Sequence, residues 1–352
     1  MIDNPRVLTA IDLFCGAGGL TCGLKQAGFN VIAGIELNPI AAKTYRSNHP
    51  EHLLLEADIT KVNRHKLMVD LDLKPGELDL LAGCPPCQGF SSHRTRNQTT
   101  AVDDERNDLI FDMLKFIKKF LPKVVMIENV PSLAKDSRIS DVITILRKLK
   151  YKINDECLQV KNTANYGVPQ RRKRMILVAS RFGYINHPNK KTTTETVRSA
   201  FSTLISPFES TDPLHNYETR RTQKVIDMIK LVPKNGGSRS QLPREYWLDC
   251  HKKNPEGYRD VYGRMAWDKV SPTITGGCIN PSKGRFLHPE EDRAITLREA
   301  ALLQTFPLNY HFCLDKGRDA AALMIGNALP PRFIYEHALK IKEHIELVTK
   351  DK

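Results

Sequence analysis

The stretch Leu78-Asp79-Leu80-Leu81-Ala82-Gly83-Cys84-Pro85-Pro86-Cys87-Gln88-Gly89-Phe90-Ser91 governs the reading of the whole chain. Its first residues form a short, continuous and mainly apolar run, as expected of a buried strand. A Pro-Pro corner then carries the thiol of Cys87 onto a loop. A thiol held rigidly at the end of a strand is placed for nucleophilic attack. Cys84 and Cys87 also satisfy the Cys-x-x-Cys redox spacing. A thioredoxin-like site opens a helix, however, whereas residues 88–104 are polar and rich in turn formers. The nucleophile is the favoured reading.

Working outward, similar apolar runs at 7–14, 29–36, 123–127 and 174–179 read as further buried strands. Segments 20–26, 39–48, 109–120 and 140–150 carry helical periodicity between them. This alternation predicts an α/β fold with a doubly wound, Rossmann-like sheet. Ligands in such sheets bind beyond the carboxyl ends of the strands. The glycine run Gly16-Ala17-Gly18-Gly19, Glu36, Cys87 and Glu128 each follow a predicted strand, so one cleft could collect them.

Gly16, Gly18 and Gly19 sit where a strand turns into a helix, and absent side chains there let a ligand approach the backbone. Glu36, at the end of the next strand, stands where an acidic residue grips ribose hydroxyls. These features alone suit a dinucleotide or S-adenosylmethionine equally. The pattern is not a full Gly-x-Gly-x-x-Gly, because Cys22 occupies the third glycine position.

Composition narrows the partners. The 53 Lys+Arg outnumber 40 Asp+Glu, leaving a formal charge of +13 that favours a polyanion such as nucleic acid. The eight cysteines show no second Cys-x-x-Cys and no Cys/His cluster with zinc spacing, so no metal is expected. The amino terminus has no signal-peptide pattern and no run approaches membrane-spanning length. A cytoplasmic protein with reduced thiols and no membrane association is expected.

Five segments together resemble the C5-cytosine DNA methyltransferase family of bacterial restriction-modification type. They are Asp12-Leu13-Phe14-Cys15-Gly16-Ala17-Gly18-Gly19-Leu20, the Cys87 segment, Glu128-Asn129-Val130, Gln170-Arg171-Arg172-Lys173-Arg174 and Gly326-Asn327-Ala328, in the family's order. The resemblance implies S-adenosyl-L-methionine as cofactor. It places Phe14, Gly16, Ala17, Gly19, Glu36, Leu37, Asp58, Ile59, Pro86 and Asn327 around it. It also implies that Cys87, Glu128, Arg172 and Arg174 are catalytic. Cys87 would add to C6 of a cytosine and so activate C5, while Glu128 would contact N3 and the exocyclic amine. The second arginine of the pair would reach O2. Arg172 and Arg174 alternate at the start of a predicted strand and are expected to share a face.

The implied partner is double-stranded DNA, with the target base flipped out. Gln88, Ser91, Arg94, Arg96 and Arg106 belong to a polar loop expected to close over that base and meet phosphates. After residue 180 the texture turns rich in Pro, Gly, Ser, Thr, Lys and Arg. Residues 201–290 are expected to form a smaller target-recognition domain, with Arg259 and Thr273 as DNA contacts. Residues 1–200 would form the first part of the catalytic domain, and 291–352 would return to it, with helices at 296–304 and 331–348. A monomer paired genetically with a restriction endonuclease is expected. A methyltransferase of the tRNA-acting branch is the nearest alternative, although its Cys-Phe-Thr segment is absent. A nicotinamide oxidoreductase would explain the glycine turn but not Glu128-Asn129-Val130.

Overall fold

The computed structural model describes residues 6–86, 108–254 and 257–350. They divide into two compact units, the first comprising 1–166, 173–190 and 331–352, the second 167–172 and 191–330. The expected boundaries at 200 and 290 therefore shift to 190 and 330. Helical periodicity after residue 296 signals a helix, but it does not say which core that helix joins.

The first unit runs β1 (Thr9–Leu13), α1 (Gly19–Gln26), β2 (Asn30–Glu36), α2 (Pro39–Asn48), β3 (Leu53–Glu56), α3 (Arg64–Asp70), β4 (Leu80–Gly83), α4 (Leu109–Phe120), β5 (Val124–Asn129), α5 (Ser137–Lys148), β6 (Leu158–Asn162) and β7 (Lys173–Ser180). Among the described residues these strands make one sheet in the order β3-β2-β1-β4-β5-β7-β6. β1 to β5 pair in parallel, whereas β7 runs antiparallel between β5 and β6. The strand order reverses beside β1, as in a doubly wound sheet, and the expected α/β class holds.

β4 and β5 are buried along their whole length, which is why they read as unbroken apolar runs. α4 presses Ile110, Met113, Leu114, Phe116, Ile117 and Phe120 into that core, at spacings that align one helical face. The last helix of the chain, Pro331–Lys350, belongs to this unit and packs on α1. The contact requires a glycine: a Cβ on Gly23 would lie 2.5 Å from the Pro331 carbonyl oxygen and 2.6 Å from Ile334 Cβ.

In the second unit α6 (Val197–Phe201), α7 (Gln223–Leu231), α8 (Asp249–Lys253), α9 (Leu297–Leu303) and α10 (Gly317–Asn327) are joined by long irregular segments. The last helix is accordingly α11. A small core of Met228, Ile229, Val232, Leu242, Val261, Tyr262 and Leu287 lies in this unit. Wholly buried Arg264 ties these segments together by donating to the carbonyls of Ile229, Val232, His288 and Glu291. No described helix is long and apolar enough to cross a membrane.

Candidate active site

The parallel strands β1, β2, β3, β4 and β5 all end at one edge of the sheet, and antiparallel β7 begins there. That edge gathers the first unit's candidate residues. At the end of β1, Phe14 has φ 61° and is followed by Gly16 at 55° and Gly18 at 91°. A non-glycine residue in the left-handed region costs on the order of 1–3 kcal/mol and marks a conformation that the surroundings impose. Gly18 caps α1 without a side-chain hydrogen bond, so the helix begins with backbone N–H groups facing the turn. Glu36 spans the turn from β2: Oε2 accepts from Gly16 N at 2.9 Å and Oε1 from Asn38 N at 2.7 Å.

Next to Glu36, Leu37 is 66% exposed, an apolar side chain with a free face. Asp58 follows β3, whose Glu56 is in register with Glu36. Its Oδ1 accepts from Thr60 N at 3.0 Å and Thr60 Oγ1 at 2.7 Å, and the adjoining Ile59 is buried. An open glycine turn, an exposed Leu37 and two carboxylates on neighbouring strand ends suit an adenosyl group whose ribose hydroxyls need acceptors. The donors and acceptors present therefore fit S-adenosylmethionine.

Below the turn lies Asp12, which the sequence reading quoted but assigned no role. It is completely buried, and Thr21 Oγ1 donates to its Oδ2 at 2.7 Å. Oδ1 has no hydrogen-bond partner among the described residues. Burial raises its pKa from 3.8 to about 7, Glu36's charge adds to that, and the Thr21 hydrogen bonds oppose it.

At the ends of β4 and β5 the chemistry changes. Glu128 is 6% exposed, and Arg174 Nε lies 2.9 Å from its Oε1 as a partly buried ion pair. Beside it, Asn129 Nδ2 donates to the Pro85 carbonyl at 2.9 Å and so ties the Pro-Pro corner to β5. Asn129 was legible only as part of the Glu-Asn-Val motif. Burial, followed by the charges of Glu128 and Asp12, pushes the Cys84 thiol well above its ordinary range. Cys84 is thus a protonated thiol at neutral pH.

The two arginines of the Gln-Arg-Arg segment meet different partners. β7 begins at Lys173, between them. Arg172 belongs to the second unit, where Nη1 donates to the Ile274 carbonyl and Nη2 to that of Gly326, both at 2.9 Å. Gln170 joins the same segment: its Oε1 accepts from Ile274 N and its Nε2 donates to Gln304 Oε1. Thr273 Oγ1 donates to the Arg171 carbonyl at 2.7 Å. Asn327 ends α10 and is exposed, as is Arg259. Cys87, Gln88, Ser91, Arg94, Arg96 and Arg106 lie outside the described residues.

Comparison with known proteins identifies the family. A Type II methylase of Herpetosiphon aurantiacus, M.HgiDII, is 36% identical over 96% of this chain and 95% of its own. The Type II methyltransferase M1.HphI of Haemophilus parahaemolyticus is 32% identical over 92% of this chain and 84% of its own. Among solved structures, a prophage-encoded DNA modification methyltransferase (E. coli) superposes with a TM-score of 0.68 at 22% identity, covering 96% of this chain and 99% of its own. The Entamoeba histolytica methyltransferase EhMeth gives 0.65 at 17%, over 97% and 99%, respectively. These two likenesses speak to the fold. The family model for C-5 cytosine-specific DNA methylase matches residues 8–343. The chain therefore belongs to the C-5 cytosine-specific DNA methylases and is a DNA cytosine-C5 methyltransferase.

Proposed function

We propose that this methyltransferase acts on one cytosine of a short double-stranded DNA sequence, flipped out of the helix, through a covalent bond between Cys87 and C6. The observation that carries the reading is the Glu128–Arg174 pair at the strand edge, beside a Pro85 carbonyl anchored by Asn129. Those tethers hold the chain that leads into Cys87 next to a buried carboxylate and a guanidinium. Such a constellation suits a pyrimidine that must be gripped along one edge while a nucleophile adds to it.

The division of labour follows. The Cys87 thiolate adds to C6, forming a C–S bond and pushing the electron pair of the C5–C6 double bond toward C5. Glu128 grips N3 and the exocyclic amine, where a proton offsets the developing charge. Arg174 meets O2 and holds Glu128 in place. S-adenosylmethionine, when bound, supplies the methyl group that C5 takes. Loss of the C5 proton to water then restores the double bond as the C–S bond breaks and returns the Cys87 thiolate. Phe14, Gly16, Ala17, Gly19, Glu36, Leu37, Asp58, Ile59 and Pro86 hold the cofactor, and Asn327 completes its surroundings. Arg172 is the further catalytic residue that the family likeness implies, and its Nη groups donate to the Ile274 and Gly326 carbonyls within the second unit.

The second unit would read the sequence, with exposed Arg259 reaching a base and Thr273 a neighbouring contact. Gln88, Ser91, Arg94, Arg96 and Arg106 would grip the backbone around the flipped base, in keeping with the chain's formal charge of +13. A monomer working in a bacterial cytoplasm completes the reading, and the Type II names of the relatives support its pairing with a restriction endonuclease. Bisulfite sequencing of DNA from cells expressing the chain tests the reading. The expected result is methylation of one cytosine within one short motif. Scattered methylation would contradict sequence readout, and methylated tRNA with untouched DNA would contradict the substrate.

A further inference from the structure

Away from the strand edge, the turn between α2 and β3 carries a second cluster of chemistry-bearing side chains. His49, Glu51 and His52 each bring one ligand atom to within 4.8 Å of the others. His49 is buried and the His52 side chain is only 2% exposed, whereas Glu51 reaches solvent with a side chain 53% exposed. Neither ring carries a charge at neutral pH. Burial lowers the pKa of His49 to about 3 and also lowers that of His52, and Lys25 adds to both effects. Glu51 is held ionised, at about 2, chiefly by its hydrogen bond with Lys25.

Hydrogen bonds tie the cluster to the sheet: Thr21 Oγ1 donates to Asp12 Oδ2 at 2.7 Å and lies 3.1 Å from the Tyr45 hydroxyl, which lies 3.0 Å from His52 Nδ1. On the other side of the ring, His52 Nε2 lies 3.1 Å from Glu51 Oε1. The Lys25 ammonium, ion-paired to the same Oε1, already places a cation against this carboxylate.

We infer that His49, Glu51 and His52 form a binding site for a divalent transition ion of the zinc class, for which the Lys25 ammonium is the stand-in. The donor set, two imidazoles and one carboxylate, is the chemistry such ions prefer, with water completing the shell. Ligand atoms around a tetrahedral zinc stand roughly 3.3 Å apart, given metal–ligand distances of about 2.0–2.2 Å. His52 and Glu51 already meet that spacing. The outermost separation must close by roughly 1.5 Å, and the His49 ring, now stacked within 4° of parallel to His52 at 5.2 Å, must turn to aim its nitrogen. His49 is the carboxyl-terminal cap residue of α2, outside the helix proper, where a side chain can turn without breaking helical packing. Tyr45 supplies the outer hydrogen bond that ligating histidines characteristically have. Through Thr21 it connects the site to Asp12, beneath the cofactor turn. Sequence spacing does not announce the site, because His-x-Glu-His lacks the paired cysteines of common zinc motifs.

Titration of the full chain with cobalt(II) chloride tests the site independently of methyl transfer. A visible d–d spectrum without a thiolate charge-transfer band is expected, and zinc chloride should abolish it by competition. His52→Ala and the double variant His49→Ala/His52→Ala should remove the spectrum, and Tyr45→Phe should weaken binding by about tenfold. Lys25→Ala should tighten binding by several-fold, a gain that misfolding cannot imitate. A spectrum that survives in the double histidine variant, or a Lys25→Ala variant that binds cobalt no more tightly than the parent, would overturn the assignment.

Discussion

Replacing Asp12 with Asn should flatten the dependence of stability on pH. Asp12 is wholly buried, and its carboxyl is raised from 3.8 to about 7 in the folded chain, mainly by burial. In the unfolded chain the same group titrates near its ordinary value of about 3.9. Between these values the folded state holds a proton that the unfolded state releases. The contribution of Asp12 to stability is therefore fully present below pH ~4 and lost as pH rises toward ~7. A gap of about three pH units, at about 1.36 kcal/mol each, gives a loss of about 4 kcal/mol across that window. Asn cannot titrate, and the Thr21 bond can pass to its carbonyl oxygen. Its amide stands where Oδ1 lacks a hydrogen bond, which costs about 1–3 kcal/mol at every pH. Urea unfolding of both proteins at about pH 4.5 and about pH 8 isolates the slope, since every other titrating group is shared. The variant should gain on the parent by several kcal/mol between the two conditions. A difference that does not change with pH would refute the reasoning.

Other substitutions probe separate parts of the site and fold. Arg174→Met leaves Glu128 buried without its ion-pair partner; a loss of about 3–5 kcal/mol in denaturant unfolding is expected, together with loss of methyl transfer. Arg172→Met removes two hydrogen bonds to carbonyls and should cost about 3 kcal/mol in the same assay, with turnover per folded molecule falling far less than for Arg174→Met. Gly23→Ala drives a methyl group into Pro331 and Ile334 and should lower the thermal midpoint, in keeping with about 1–3 kcal/mol of overpacking.

Where the sequence was legible, burial explains it. β1, β2, β4, β5 and β7 lie inside the sheet, so each reads as a continuous apolar run, and α2 and α4 coincide with their periodic segments. β3 and β6 sit at the two edges; β3 has only four residues and β6 is half-buried, so neither produces a strong run. The turn residues were legible because a strand-to-helix corner demands glycine, whereas the role of Asp12 depends on burial that no local pattern reports. Arg172 and Arg174 look equivalent in sequence. They differ because β7 starts between them, and hydrogen bonding to Ile274 and Gly326, about a hundred residues or more away, takes one of them into the second unit. The helices at 297–303 and 317–327 likewise belong to the second unit, where their packing partners are distant in sequence.

The most direct test of the central claim is a covalent trap. A DNA duplex carrying the chain's own recognition motif, with 5-fluorocytosine at the target, should form a denaturation-resistant complex when S-adenosylmethionine is present, because fluorine cannot leave C5 as a proton does. Peptide mapping by mass spectrometry should locate the adduct on Cys87, and Cys87→Ser should abolish it. An adduct on another residue, or 5-methylcytosine formed at normal rates by Cys87→Ser, would contradict the account.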